Sequence, residues 1–151
     1  MNVTAPYLLC RAFHSLLRAS GDGVIVNVSS AAGITGKGSS IAYAAAKGAE
    51  NNTLTLALAQ ALSPEVRVNA VYPSFIDSSW WEEKFAGKED NYKPLVNNMQ
   101  KSNLLNRVLR PSDVADTILS IVKNPVMTGE LIRLDAGAHI GRANPREKLI
   151  R

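Results

Sequence analysis

The sequence predicts an α/β fold in which helices cover a parallel sheet. Two observations carry that expectation. Apolar, β-branched runs recur at Val24 to Ser29, Val66 to Tyr72 and Glu130 to Leu134, and helix-like stretches precede and separate them. Crossovers of that length join parallel strands, so the order helix, strand, helix, strand, helix, strand implies one parallel sheet with helices on its faces. The 151 residues are enough for a single domain with a buried core.

Residues 1 to 20 read as the first helix. Pro6 suits its first turn, Thr4 offers a cap, and Leu9, Phe13, Leu16 and Leu17 form an apolar stripe. Gly21-Asp22-Gly23 breaks it before strand Val24 to Ser29. A loop holding Gly33, Gly36 and Gly38 then leads through Ser39 and Ser40, two good N-cap types, into a long helix from about Ser40 to Leu62. Its small residues, among them Ala42, Ala44, Ala46 and Gly48, allow another backbone to come close. Asn51 and Asn52 are weak helix formers in its middle. Ser63-Pro64 stops it.

The second strand, Val66 to Tyr72, ends at Pro73. From Ser74 to Leu109 the pattern loosens, with Trp80, Trp81, Phe85, Tyr92, Leu95 and Met99 spread among polar residues. Short helices in a long excursion fit that stretch. Pro111-Ser112-Asp113 starts the next helix, with an acidic residue at the positive end of its dipole. Ile118, Leu119 and Val122 supply its apolar face, Asn124-Pro125 ends it, and the strand from Glu130 to Leu134 precedes a glycine-containing tail.

Composition narrows the function classes. Lys and Arg outnumber Asp and Glu by 17 to 13, but they are scattered. The densest cluster, Arg142 to Arg151, has no interleaved aromatic residue and reads as a solvated end, so no nucleic-acid partner is expected. Apolar stretches are short and interrupted, which predicts neither a signal peptide nor a membrane span. The lone Cys10 rules out an internal disulfide and a CxxC site, and a reducing cytoplasm is the expected location. His14 and His139 are read as lacking acidic or cysteine neighbours at ligand spacing, so no metal is expected. Asp113 and Asp116 read as helix-start residues.

Chemistry concentrates between Ser30 and Lys47. Tyr43 and Lys47 are four residues apart and share one helix face. A phenol, with a reference pKa of ~10, is a poor base at neutral pH unless something stabilises its phenolate. An ammonium one turn away does so. Ser30, at the strand end, is placed to hydrogen-bond a substrate oxygen, whereas Ser29 faces the other way and reads as structural. Alone, Y-x-x-x-K also arises on helices by chance. The glycine spacing Gly33, Gly36, Gly38 matches neither phosphate-loop pattern and reads as a flexible loop.

Taken together these residues resemble the short-chain dehydrogenase/reductase family over nearly the whole chain. Val24-Ile-Val-Asn-Val-Ser-Ser30-Ala-Ala-Gly33 is similar to that family's strand with its catalytic serine, and Tyr43-Ala-Ala-Ala-Lys47 to its YxxxK. Asn2-Val-Thr-Ala-Pro6 resembles the segment whose asparagine completes a catalytic tetrad. Arg67-Val-Asn69-Ala-Val-Tyr-Pro73 resembles the strand before a Pro-Gly turn, and Asp135-Ala-Gly137 a closing Asp-Gly-Gly.

The resemblance implies a partial Rossmann-like, doubly wound sheet. It implies NAD(P)-dependent interconversion of a small-molecule carbonyl and alcohol. Tyr43 would exchange a proton with the substrate oxygen, Lys47 would serve both phenol and nicotinamide ribose, and Ser30 would orient the substrate. Asn2 would hold a water leading to Lys47. After Pro73 and Ser74, the backbone of Ile76 and the hydroxyl of Ser78 would meet the nicotinamide, the cofactor being NAD or NADP. Residues 78–105 would form a substrate lid, and helices 3–20 and 40–62 a homo-oligomer interface. Ser74, Ser78 and Ala136 depart from the family's Gly, Thr and Gly. The family's glycine-rich cofactor turn is expected to precede the first residue, making the chain the second half of the fold. A non-catalytic truncated relative, acting as a subunit-binding or structural remnant, is the alternative.

Overall fold

A computed structural model describes residues 1–141; the basic stretch that follows lies outside the described residues. Contacts divide the chain into two units, Met1–Ser74 with Ser112–Leu134, and Phe75–Pro111 with the segment that begins at Asp135.

The first unit is built on a three-stranded parallel sheet in the order β1 (Gly23–Val28), β2 (Val66–Pro73), β3 (Leu131–Leu134). Gly23 pairs with Val66 and Ala70 with Leu131, which sets both registers. As the central strand, β2 is covered on both faces, and all of its residues but Arg67 are buried. That explains why Val66 to Tyr72 carries no alternation. Ala59, Val66 and Val68 form the packed centre, with Leu17, Ile25, Leu58 and Leu62 against it.

Helix α1 (Thr4–Ala19) precedes the sheet. Thr4 is its first helical residue, not its cap; Val3 holds that position, with no side-chain bond. The apolar stripe also departs from expectation. Leu9, Phe13 and Leu16 are more than half exposed, and Cys10 is the buried residue. Leu9, Phe13 and Leu17 instead line an open groove of about 400 Å³ along Val24, Val26 and Val28. Burial pushes the Cys10 thiol pKa up.

After β1 a short helical turn, α2 (Ala32–Thr35), ends at Gly36 in the left-handed conformation, φ 69°. The long helix then runs in three pieces. These are α3 (Ile41–Gly48), a π-helical turn (Ala49–Leu54) and α4 (Thr55–Leu62). Ser40 is extended and its Oγ accepts from Tyr43 N at 3.1 Å, the expected cap. Residues 51 and 52, the weak helix formers, fall inside the π turn, where helical period is already broken. The last helix of this unit, α7 (Pro111–Lys123), buries Val114 and Ile121, while Leu119 and Val122 are exposed. The apolar face is therefore turned from the one expected.

Arg67 and Asn69 tie this frame together. The Arg67 guanidinium donates to the carbonyls of Ile121, Val122, Asn124 and Met127 at 2.8–3.3 Å, covering the negative end of α7. Asn69, fully buried, donates to Met127 O at 2.9 Å and accepts from Glu130 N at 3.0 Å.

The second unit holds α5 (Ser79–Lys84) and α6 (Glu89–Lys101), so the excursion is helical as expected. Phe75, Trp81, Phe85 and Tyr92 stack in sequence with ring centroids 5.1–6.1 Å apart. The Tyr92 hydroxyl donates to Asp77, and Lys84 Nζ lies 4.7 Å above the Trp80 ring. Asp135 is buried and its carboxylate accepts from the N–H groups of Gly137 and His139. Its Oδ2 also lies 2.8 Å from His139 Nδ1. His139 thus has an acidic neighbour four residues back, which the sequence reading passed over; no group of three ligand-type residues forms among the described residues.

Candidate active site

The carboxyl end of β1 and the start of α3 are fastened to each other. Ser29 N donates to Val71 O at 2.8 Å, and Ala31 N to Pro73 O at 2.9 Å, so the chain leaves the sheet along β2. Ser29 is buried and its Oγ donates to the Lys47 carbonyl at 2.9 Å. That bond makes Ser29 structural, as expected, and places Ser30 next to the helix that carries Tyr43.

Gly33 explains how the helix comes so close. A Cβ there would stand 2.4 Å from the Lys47 carbonyl carbon and from Gly48 N. The residue is a contact surface for α3, neither a phosphate cradle nor slack in a loop. Gly38 lies against the Tyr43 ring, where a Cβ would meet Cδ1 at 3.1 Å.

Ser30 is half-buried at the mouth of this junction and its Oγ accepts from Ala32 N at 3.2 Å. Tyr43 is half-buried in the first turn of α3, and its hydroxyl has no hydrogen-bond partner among the described residues. Lys47 follows one turn later. Its ammonium donates to Val28 O at 2.9 Å and to Glu50 Oε2 at 2.6 Å, with the two side chains 11% and 4% exposed. Asn2 is exposed, just before α1. Pro73 is buried at the end of β2, and Ser74 N continues the sheet by donating to Leu134 O at 2.8 Å. Ile76 and Ser78 belong to the second unit. There Ile76 bridges to Leu109, and Ser78 caps α5 without a side-chain bond.

Glu50 is the residue that the sequence reading missed. A glutamate three places after a lysine on a helix ordinarily marks an exposed pair, and nothing in the spacing distinguishes this buried one. Its place is set by Thr55, whose buried hydroxyl donates to Glu50 O at 2.7 Å and fixes the π turn.

This arrangement has close counterparts. The enoyl-(acyl carrier protein) reductase family model matches residues 1–139. Short-chain dehydrogenase/reductase homolog YusR of Bacillus subtilis is 40% identical over 131 residues, covering 87% of this chain and 95% of that one. The chain belongs to the short-chain dehydrogenase/reductase family. A dehydrogenase/reductase of this family from Burkholderia xenovorans superposes with a TM-score of 0.79 at 39% identity, over 93% of this chain and 53% of its own. The structure of 4-hydroxyisoleucine dehydrogenase complexed with NADH does so at 0.76 and 27%, over 93% and 57%. The chain likewise spans about half the length of further curated relatives. Within the family frame, Ser30, Tyr43 and Lys47 occupy one end of the sheet, in the order strand end, helix start, next turn.

Proposed function

We propose that this chain carries the proton-transfer half of an NAD(P)-dependent oxidoreductase that interconverts a small-molecule carbonyl and its alcohol. The observation that supports this most is the junction of β1 with α3. Three hydrogen bonds to backbone carbonyls, two on β2 and one on α3, and one close glycine contact hold the segment around Ser30 beside a helix whose first turn presents a phenol without a partner among the described residues. In this reading the Ser30 hydroxyl hydrogen-bonds the substrate oxygen and orients it. The Tyr43 hydroxyl gives a proton to that oxygen in reduction and takes one in oxidation. The Lys47 ammonium, when directed to Tyr43, offsets the negative charge that develops on the phenol oxygen. Asn2 would hold a water on the path from Lys47.

The family resemblance assigns the nicotinamide and its ribose to Tyr43, Lys47, Pro73 and Ser74 of the first unit and to Ile76 and Ser78 of the second, by the hydroxyl, ammonium and backbone groups they carry. When bound, the nicotinamide supplies or accepts hydride. The pyrophosphate end is not matched among the described residues, because the Gly33 turn is filled by α3.

Residues 78–105 would cover the substrate as a lid. Its aromatic stack favours an apolar or aromatic substrate. We also read helices 3–20 and 40–62 as a homo-oligomer interface, which the exposed Tyr7, Leu8, Phe13 and Leu16 of α1 support. No helix among the described residues is long and apolar enough to cross a membrane, and the free Cys10 suits a reducing cytoplasm.

The test is Tyr43→Phe, assayed with NADH and NADPH against a panel of aliphatic and aromatic ketones. Turnover should fall by about 10²–10⁴-fold, the range of general acid–base contributions, with cofactor binding largely kept through the other contacts. Turnover within a few-fold of the parent would remove Tyr43 from the chemistry. Lys47→Ala should differ by also weakening NAD(P)H binding.

A further inference from the structure

Lys47 is the one member of the site whose charged atom already has close partners, and among the described residues neither of them is Tyr43. Its Nζ stands 2.6 Å from Glu50 Oε2 and 2.9 Å from Val28 O. Glu50 is 3% exposed, and the reaction described above makes no use of it. Direction matters here. At 1.5 Å rise per residue, Tyr43 lies about 6 Å along the helix axis from Lys47 toward the N-terminus, and Glu50 about 4.5 Å toward the other end. A lysine drawn to Glu50 is therefore drawn away from the phenol.

Glu50 is held in place from the sheet. Asn27 of β1 donates to Thr55 Oγ1 at 3.0 Å, and that hydroxyl donates to the Glu50 carbonyl, five residues back, at 2.7 Å. Asn27 and Thr55 are both buried, so the π turn is tied to β1 at the point where it presents the carboxylate. A buried ammonium and carboxylate in contact resist separation, since either one left alone is strongly unfavourable.

On the reading of the site given above, we propose that Glu50 is a positioning residue that acts through Lys47. Its carboxylate latches the ammonium onto the β1 edge and withholds its charge from Tyr43. Releasing the latch, by removing the carboxylate charge, lets Lys47 turn toward the phenol.

The latch is read directly by NMR of the protein labelled with ¹⁵Nζ-lysine and ¹³Cζ-tyrosine, with Lys47→Met and Tyr43→Phe assigning the two signals. In the parent, the Lys47 ammonium should give an exchange-protected Nζ–H signal. Glu50→Gln, which keeps shape and loses charge, should remove that protection and displace the Tyr43 Cζ resonance. Glu65→Gln, which breaks the surface pair of Glu65 with Arg18, should do neither. A Lys47 signal unchanged in Glu50→Gln overturns the proposal. So does loss of protection with the Tyr43 resonance left where Glu65→Gln leaves it, because Glu50 would then anchor a lysine without acting on the site. If circular dichroism shows Glu50→Gln unfolded, Glu50→Asp replaces it; one methylene shorter, it should give the same displacement at smaller amplitude, and no displacement overturns the proposal. These signals need neither substrate nor cofactor. The latch and the Tyr43 assignment can therefore fail separately.

Discussion

Two sets of polar side chains sit on this sheet, and they are treated in opposite ways. Arg67 and Asn69 on β2 have their donors and acceptors met by backbone at one edge of the frame: four carbonyls for the guanidinium, and a carbonyl and an N–H for the amide. Tyr43, on α3, is half-buried and directs its hydroxyl at none of the described residues. Both sets belong to stretches that resemble family motifs, so motif membership does not separate them. Satisfaction does. A buried polar group matched by backbone stabilises the fold, whereas one held without a partner is available to a ligand.

The difference predicts opposite responses to truncation. Arg67→Ala should destabilise the protein by about 2–4 kcal/mol, since it strips a charged donor from four carbonyls near the end of α7. Asn69→Ala should cost about 2–3 kcal/mol, leaving a buried carbonyl and N–H unmatched. Tyr43→Phe, the variant expected to lose turnover, should change stability by less than about 0.5 kcal/mol. Urea unfolding of the three variants checks the ordering. A Tyr43→Phe loss as large as that of Asn69→Ala would mean that the phenol is a structural group after all.

Gly33→Ala tests how the two kinds of residue are joined. Its Cβ would press on the backbone of Lys47 and Gly48 at 2.4 Å, where no flexible side chain can give way. We expect a loss of about 1–3 kcal/mol, the usual cost of overpacking, and with it a loss of turnover because α3 carries Tyr43. Stability lost with turnover intact would show that the helix shifts without disturbing the site.

How much of this was legible beforehand depended on whether a residue's partner lies nearby in sequence. The order of elements, the Ser40 cap and the β-branched strand at Val66 to Tyr72 all follow from local pattern, and the structure has them, whereas the central place of that strand in the sheet does not. Periodicity assigned an apolar face to each of α1 and α7, but it reports that residues are apolar, not which of them the fold covers. Hence Leu16 and Leu119 are exposed where burial was expected. The π turn was hidden because one extra residue per turn leaves composition unchanged; the asparagines at 51 and 52 were its only local trace. Glu50 was hidden because its burial depends on β1, about 25 residues earlier in the chain. The Asp135–His139 pair is plain in the spacing of four, and the structure gives His139 the acidic neighbour it was expected to lack.

The one expected gain in stability concerns the turn held by Asp135, a third residue whose carboxylate accepts from backbone. Its carboxylate accepts from Gly137 N at 2.9 Å and His139 N at 3.1 Å, which fixes the chain just after β3. Between Asp135 and Gly137, Ala136 is held at φ 52°, in the left-handed region, where a Cβ crowds the following carbonyl. The resemblance places glycine at this position, and the backbone shows why: the turn demands the conformation whatever residue stands there. The next position, at φ 82°, needs its glycine, because a Cβ on Gly137 would meet the Leu104 side chain at 2.9 Å. Ala136→Gly removes the strain but also loosens the unfolded chain, and the two effects oppose each other. The strain term, about 1–2 kcal/mol, exceeds the entropy term of about 0.4–1 kcal/mol, so the variant should gain up to about 1 kcal/mol. Thermal unfolding at fixed pH measures it. A variant no more stable than the parent would show that the bonds to Asp135 do not hold Ala136 in the left-handed region, and that the turn relaxes to suit its residue.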